Sequence, residues 1–236
     1  METRVEKVAV ADGSFDLHLW VPEGGHGPVV LLIQEIYGVG PYIRGVAEEL
    51  AGLGYVVGAP DLFWRIQPGW VSAHDEAGTA ESIRVGARFD VPRGVADAAA
   101  ALSLLRELPE ADGRAGIVGF CLGGSVAYLL AASLEADART DAVLSFYGSA
   151  VPDVTGLMER IACPLLLVFG GSDPYISRDR VALVERAAAE RPNVEVHVAE
   201  RAGHAFLNHE APQFHDPQEA PAVWALALDF LGRHLR

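Results

Sequence analysis

A cysteine lies at a glycine-rich corner of this sequence, in Gly119-Phe120-Cys121-Leu122-Gly123. An apolar run that predicts a strand (115–120) leads into the corner, and a run that predicts a helix (122–134) follows it. Glycines at such a corner let a strand and a helix approach closely around a residue in a strained conformation. The free amides that begin the helix favour a thiolate and a developing oxyanion. The pattern is therefore that of a nucleophile, although a core turn that holds a thiol by chance has the same residues.

Two further residues have the types and positions that would make this thiol a catalyst. Asp173 follows the apolar run 164–170, and His204 follows the run 194–199. In doubly wound sheets ligands bind outside the carboxyl ends of the strands, and all three residues follow predicted strands. The chain order Cys, Asp, His is that of the α/β-hydrolase triad. We expect Cys121 to attack a carbonyl carbon, His204 to be the base and proton shuttle, and Asp173 to orient the histidine.

A carboxylate and a backbone amide follow an earlier strand. Glu35 comes after the continuous apolar run 28–33, in QEIYGVG. A carboxylate at the end of an apolar strand is costly to bury unless it has a partner or a function, and a solvated loop acid is the alternative. The next residue lies where a hydrolase supplies its second oxyanion donor. We therefore expect the backbone amides of Ile36 and Leu122 to form the oxyanion hole.

Short strands and helices alternate along the chain, and this alternation has to position these side chains. It predicts an α/β fold, with a doubly wound, mostly parallel sheet and helices on both faces, in a single domain over 1–236. A segment with weak periodicity (64–92) is predicted to be an excursion over the active site, with one short helix. The predicted elements are a hairpin (7–22) that turns at Asp12-Gly13, strands at 28–33, 55–62, 115–120, 141–148, 164–170 and 194–199, and helices at 43–55, 92–108, 122–134, 178–190 and 220–235.

Composition limits the possible partners. The 236 residues include 18 Lys and Arg against 32 Asp and Glu, a net charge of -14, which disfavours binding to nucleic acid. No apolar run is long enough to span a bilayer, and the charged N-terminus lacks a signal-peptide core, so we expect a cytoplasmic protein without a membrane partner. The two cysteines do not indicate a disulfide framework, and no Cys/His cluster indicates a metal. We expect a small-molecule substrate and a monomer or small homo-oligomer.

The motifs resemble those of the dienelactone hydrolase family, the carboxymethylenebutenolidases, over nearly the whole chain. The resemblance rests on QEIYGV (34–39), PDLFWRIQPG (60–69), GFCLGG (119–124), GGSDPYIS (170–177) and AGHAF (202–206). It implies the α/β-hydrolase fold and a carboxylic ester hydrolase that needs no metal or organic cofactor. It implies that Cys121, Asp173 and His204 are the triad, that the substrate is an activated ester or lactone, and that the reaction passes through an acyl-thioenzyme. The acid that matches Glu35 contacts the thiol and helps to deprotonate it, which a raised pKa in a dry pocket makes feasible.

The sequence departs from the family at the residues that bind a substrate carboxylate. The best-known members have an Arg four residues after the catalytic His, where this chain has Asn208. A second Arg is expected near Thr79 by alignment, and either Arg65 or Arg84 is a candidate replacement. An Asn cannot supply the charged bidentate contact of an Arg.

Two alternatives to a dienelactone-like substrate therefore stay open. One is a general carboxylesterase or lactonase for neutral substrates, and the other is a catalytically silent α/β-hydrolase that binds a ligand. Aromatic side chains near the predicted site are equally consistent with packing and with an apolar pocket. The aromatic candidates for substrate binding are Tyr37, Trp64 and Phe206.

Overall fold

A computed structural model describes residues 1–135 and 140–236. The strands are β1 (Glu2–Val10), β2 (Gly13–Val21), β3 (Gly27–Ile33), β4 (Val56–Pro60), β5 (Ala111–Phe120), β6 (Ala142–Phe146), β7 (Leu165–Gly170) and β8 (Val194–Ala199). The α-helices are α1 (Pro41–Gly52), α2 (Glu76–Gly86), α3 (Val91–Glu107), α4 (Leu122–Ser133), α5 (Arg178–Ala188) and α6 (Ala220–Leu235). Two short 3-10 helices, Val151–Asp153 and Thr155–Arg160, follow β6.

The strands are hydrogen-bonded in the order β1-β2-β4-β3-β5-β6-β7-β8. The pairs β3/β4, β6/β7 and β7/β8 are parallel, whereas β1/β2 and β2/β4 are antiparallel. The sheet is therefore mixed, because the N-terminal hairpin joins it antiparallel to β4. The chain divides into two compact units, Met1–Ile117 and Val118–Arg236, with the division inside β5. The single domain predicted from the sequence remains a prediction.

The first unit contains β1 to β4 and α1 to α3. Every residue of β3 is buried, as the continuous apolar run predicts for a strand inside an α/β sheet. Val10 pairs with Gly13, so the hairpin turns at Ala11 and Asp12, one residue earlier than predicted. Helix α1 begins at Pro41, two residues before its predicted start, because a proline is tolerated in the first turn, where its missing N–H is not needed.

The predicted excursion contains one helix, α2, and ends where α3 begins. Aspartates cap both helices: Asp75 accepts a hydrogen bond from the amide of Gly78, and Asp90 accepts one from the amide of Arg93. Before α2 the chain turns around Asp61, which is buried directly after β4. Its carboxylate accepts hydrogen bonds from backbone amides in the turn, and burial raises its pKa. The weak periodicity of this segment reflects turns that are held by side chains rather than by strands.

The second unit contains the end of β5, strands β6 to β8 and helices α4 to α6. Strands β6 and β7 are fully buried, and β8 has the same bounds as predicted. Helix α4 is buried over most of its length and has an apolar composition all round, as expected for a central helix. Of the helices in the described ranges, none combines the length and the apolar character that crossing a membrane would require.

Candidate active site

The second unit brings the three predicted triad side chains together. His204 Nε2 lies 3.1 Å from Cys121 Sγ, and His204 Nδ1 lies 2.7 Å from Asp173 Oδ2. The three residues come from the start of α4, the loop after β7 and the loop after β8. The histidine therefore links the thiol to the carboxylate through its two ring nitrogens, an arrangement suited to nucleophilic attack with proton transfer.

Cys121 occupies a strained backbone conformation at the corner between β5 and α4. Its φ is 54° and its ψ is -113°, which a non-glycine residue rarely adopts and which costs on the order of 1–3 kcal/mol. Its amide donates to the carbonyl of Phe146, which fixes the corner to the end of β6. A Cβ at Gly119 would lie 2.0 Å from the carbonyl oxygen of Gly123, so the close packing of the first turn of α4 against the end of β5 requires glycine there. The corner has the strained conformation and the close glycine contact that the sequence predicts for a nucleophile elbow.

The first turn of α4 is anchored to the end of β6. A Cβ at Gly124 would lie 2.4 Å from the carbonyl oxygen of Phe146, so backbone packs directly on backbone. The buried Ser145 hydroxyl donates to the Gly124 carbonyl at 2.8 Å. The hydroxyl of Ser125 accepts from the amide of Ala150 at 3.1 Å. These contacts fix the position of the helix start, and with it that of the thiol.

Asp173 has partners for both carboxylate oxygens. Oδ1 accepts from the amides of Tyr175 at 2.8 Å and Ile176 at 3.2 Å, while Oδ2 accepts from His204. Its side chain is fully buried. A carboxylate held by two amides keeps a fixed orientation, so Asp173 fixes both the tautomer and the plane of the imidazole.

The surroundings of His204 favour its charged form. Burial alone would lower its pKa, but the negative charge of Cys121 and the hydrogen bonds to Asp173 and Cys121 outweigh burial and raise the pKa to about 10. When the imidazole is charged, Nε2 donates to the sulfur and Nδ1 donates to Asp173, and the histidine can act as the acid for a leaving group.

Two tyrosine rings pack against the catalytic imidazole, and neither was predicted. The ring centroid of Tyr147 lies 5.2 Å from that of His204, and that of Tyr175 lies 5.1 Å away in an edge-on arrangement. Tyr147 is fully buried and has a positive φ of 40°, whereas Tyr175 is 56% exposed. The signal in the sequence was their position, since Tyr147 directly follows β6 and Tyr175 lies two residues after Asp173.

Asn208 and Phe206 shape the loop after the catalytic histidine. Asn208 is fully buried, and its Oδ1 accepts from the amide of Glu210 at 3.0 Å. The backbone amide of Asn208 donates to the carbonyl of Ala205, a residue with a φ of 54°. Phe206 is fully buried against Tyr147, with 5.8 Å between ring centroids. Asn208 therefore forms part of a turn, at the position where the resemblance implied an Arg.

Glu35, Ile36 and Tyr37 lie in a tightly held loop of the first unit. Glu35 is 2% exposed, and its carbonyl accepts from the amide of Gly38 at 3.2 Å. The indole N–H of Trp70 donates to the carbonyl of Ile36 at 2.9 Å. The buried Glu35 side chain is therefore not a solvated loop acid, which was the alternative to a function.

Tyr37 is also held in this loop. Its hydroxyl lies 2.9 Å from Thr79 Oγ1, so the position where a second Arg was expected bonds a tyrosine instead. The ring of His74 lies 4.2 Å from the ring of Tyr37. Tyr37 is 4% exposed, and these contacts explain the position of its side chain through packing within this loop.

The two arginines considered as replacements already face carboxylates. Arg65 pairs with Asp12 and Asp97, and its guanidinium stacks 4.1 Å over the ring of Trp64. Trp64 in turn donates to the carboxylate of Asp97. Arg84 is largely exposed and pairs with Glu81 one turn earlier on α2. These pairings engage both guanidinium groups and the Trp64 indole, and a role of Arg65, Arg84 or Trp64 in substrate binding stays a prediction.

A family model described as "Dienelactone hydrolase family" matches residues 15–235. The chain belongs to this family. Carboxymethylenebutenolidase 1 of Cupriavidus pinatubonensis is 30% identical to it over 229 residues, which cover 97% of this chain and 95% of the relative. A carboxymethylenebutenolidase of a Pseudomonas species is 30% identical, with 95% and 92% covered.

Solved structures of dienelactone hydrolases have the same fold. A dienelactone hydrolase from Anabaena variabilis superposes with a TM-score of 0.73 at 23% identity, covering 100% of this chain and 99% of that one. A dienelactone hydrolase-like promiscuous phosphotriesterase from metagenomic libraries gives a TM-score of 0.82, also at 23% identity, with the same coverage. This dienelactone hydrolase family member therefore has the α/β-hydrolase fold, and it is a hydrolase of ester or lactone bonds.

Proposed function

We propose that Cys121, His204 and Asp173 hydrolyse a small, uncharged ester or lactone. The observation that carries this proposal is the 3.1 Å contact between Cys121 Sγ and a histidine whose other nitrogen bonds a buried aspartate. The preference for an uncharged substrate is supported by the lack of an arginine at position 208 and by the acid partners of two other arginines. Asn208 replaces one of the expected arginines, and Arg65 and Arg84 are paired with acids.

The proposed reaction has two halves. The thiolate of Cys121 attacks the acyl carbon, and the carbonyl electron pair moves onto oxygen. Collapse of this oxyanion forms the thioester and expels the alkoxide, which takes the proton from His204 Nε2. Water then attacks the thioester while neutral His204 accepts its proton. The second collapse expels the thiolate, releases the acid and restores the ion pair.

The roles predicted for Glu35, Ile36 and Leu122 remain proposals. The buried Glu35 carboxylate supports a function in activating the thiol, and the Leu122 amide at the start of α4 is a suitable oxyanion donor. The carbonyls of Glu35 and Ile36 both accept hydrogen bonds. This supports a fixed direction for the Ile36 N–H, which lies between them. The cytoplasmic location and the monomer or small homo-oligomer also stay predictions from the sequence.

A hydrolysis panel tests the proposed function. The substrates are a neutral lactone and the same lactone carrying a carboxylate, and the variants are Cys121→Ala, Glu35→Gln and Cys163→Ala. We expect Cys121→Ala to lose about 10³-fold or more in kcat/KM and Glu35→Gln to lose about 10²-fold. Cys163→Ala is the matched control, because Cys163 is the other cysteine and lies just before β7, with its sulfur 3.7 Å from Thr140 Oγ1. We expect it to stay within about twofold, since Cys163 is outside the proposed triad.

Full activity of Cys121→Ala would overturn the triad assignment. We expect the neutral lactone to be preferred by about tenfold or more in kcat/KM, because a carboxylate without an arginine partner must lose its hydration uncompensated. A preference for the carboxylated lactone would instead favour a dienelactone-like substrate. Binding of either lactone without hydrolysis or acylation would identify a silent ligand-binding protein.

A further inference from the structure

Tyr175 is an exposed aromatic residue in contact with the catalytic imidazole. Of the seven large hydrophobic side chains exposed in the described ranges, Tyr175 is the aromatic one, with 56% exposure. Its ring meets that of His204 edge-on, at 5.1 Å between centroids and 78° between planes. An apolar ring left open to solvent beside a catalytic group is an available binding surface.

The backbone of Tyr175 is fixed while the outer part of its ring is free. Its amide donates to Asp173 Oδ1, and its carbonyl accepts from Arg180. Arg180 is itself held by the carbonyl of Ser149 and the carboxylate of Asp153. The ring is therefore presented from a rigid loop, and the loop does not depend on the phenol side chain for these bonds.

The chemistry of the proposed reaction determines which part of the substrate lies near this ring. His204 Nε2 gives its proton to the leaving oxygen, so that oxygen must come within about 3 Å of Nε2. The leaving group attached to it then extends past the imidazole. Tyr147 closes one side of the imidazole as a buried ring, whereas Tyr175 offers an open one.

We infer that Tyr175 binds the leaving group of the substrate and selects planar, unsaturated leaving groups. These are aryl esters and enol esters or lactones, whose flat apolar faces stack on an aromatic ring or meet its edge. The inference rests on the proposed function, since it assigns the leaving group to the space beside His204. It names Tyr175 as a specificity-determining residue that does not take part in proton transfer.

Two acetate esters separate this role from a structural one. Phenyl acetate carries a planar leaving group, and trifluoroethyl acetate carries a small non-planar one. For each ester the kcat/KM of a variant is divided by that of the unmodified protein, so that intrinsic reactivity cancels. We expect Tyr175→Ala to lose about fivefold on phenyl acetate and less than about twofold on trifluoroethyl acetate. Tyr175→Phe keeps the ring, so we expect its kcat/KM on phenyl acetate to match that of the unmodified protein.

The control variant is Leu183→Ala, which truncates another exposed apolar side chain, on α5. We expect it to leave both ratios unchanged. Equal losses of Tyr175→Ala on both esters, or no loss on either, would overturn the inference. Failure of the proposed function is distinguishable, because the unmodified protein would then hydrolyse neither ester through Cys121, and Cys121→Ala would match it on both.

Discussion

At the scale of single residues, the site is defined by conformations and charges that a sequence does not display. Cys121, Tyr147 and Ala205 have positive φ angles, and they lie at or beside the triad. Such strain persists only where the surrounding structure enforces it, and it is concentrated at functional sites. For Cys121 the enforcing contacts are the hydrogen bond that its backbone amide donates to the carbonyl of Phe146 and the close approach of Gly123 to Gly119.

The charge of His204 leads to a prediction for its titration. Nuclear magnetic resonance of the imidazole should give a pKa of about 10 in the unmodified protein, well above the ordinary 6.5. In Cys121→Ser we expect a pKa lower by about one unit or more, because serine removes the negative charge that stabilises the imidazolium. Because the folded pKa is raised, this proton stabilises the fold fully below about pH 6.5, and the contribution is lost as the pH rises through about 10.

The control for this titration is His18 in β2, which is remote in sequence from the triad and whose pKa is lowered mainly by burial. Its pKa should be the same in both proteins. A His204 pKa near 6.5, or one that Cys121→Ser leaves unchanged, would contradict the ion pair between Cys121 and His204.

The triad residues were predictable because their types, order and positions after strands are all visible in the sequence. The substrate-binding residues were less predictable. The sequence does not show that Arg65 is paired with acids, because its partners Asp12 and Asp97 are 53 and 32 positions away. Tyr175 was not predicted, because an aromatic residue in a loop has no periodic signal. Pairing between distant residues is the information that was missing.

At the scale of elements, local patterns predicted the strands and helices closely, because continuous apolar runs and helical spacing are local properties. The turns were harder to predict. The loop after β3 is held by Trp70 and by an antiparallel bridge between Gly38 and Val71, contacts that come from the following excursion. A Cβ at Gly38 would lie 1.8 Å from the carbonyl oxygen of Trp70, so that packing requires glycine.

The anchoring of α4 to β6 leads to a prediction at this scale. We expect Ser145→Ala to lower kcat by about three- to tenfold with little change in KM, because the loosened helix start misplaces the nucleophile. The loss of one hydrogen bond should also cost about 1 kcal/mol of the free energy of unfolding. Steady-state kinetics and urea unfolding measure the two effects.

Ser133→Ala is the matched control for Ser145→Ala. The Ser133 hydroxyl bonds the carbonyl of Leu130 in the last turn of the same helix, away from the thiol. We expect it to leave kcat unchanged. If both variants lower kcat equally, or if kcat falls only in proportion to the unfolded fraction, Ser145 has a structural role alone.

At the scale of the whole molecule, the net charge of -14 bears on the substrate. A strongly acidic protein repels anions on average, and only a local cation compensates for this. The arginines close in sequence to Asp173 and His204 are paired with acids: Arg178 with Glu185 and Glu200, Arg180 with Asp153, and Arg201 with Glu219. An uncharged ester or lactone is therefore the substrate class that agrees with both the charge and the pairings.

The mostly parallel sheet and the N-terminal hairpin were predicted, but the place where the hairpin joins the sheet was not. The alternation of strands and helices predicts parallel neighbours, but it does not show where an N-terminal hairpin joins. Here β2 pairs antiparallel with β4, and this register depends on contacts between strands about 40 residues apart. Long-range strand pairing has no local signature, which is why the sequence predicted the class of the fold more completely than its strand directions.

The central claim is that Cys121 carries the acyl group during turnover. The most direct measurement is the intact mass of the protein, quenched in acid within milliseconds of mixing with phenyl acetate, followed by peptide mapping. We predict one acetyl group per chain on the peptide that contains Cys121, unchanged in Cys163→Ala and absent in Cys121→Ala. Turnover without an acyl group on Cys121, or with the acyl group on another residue, would contradict the account.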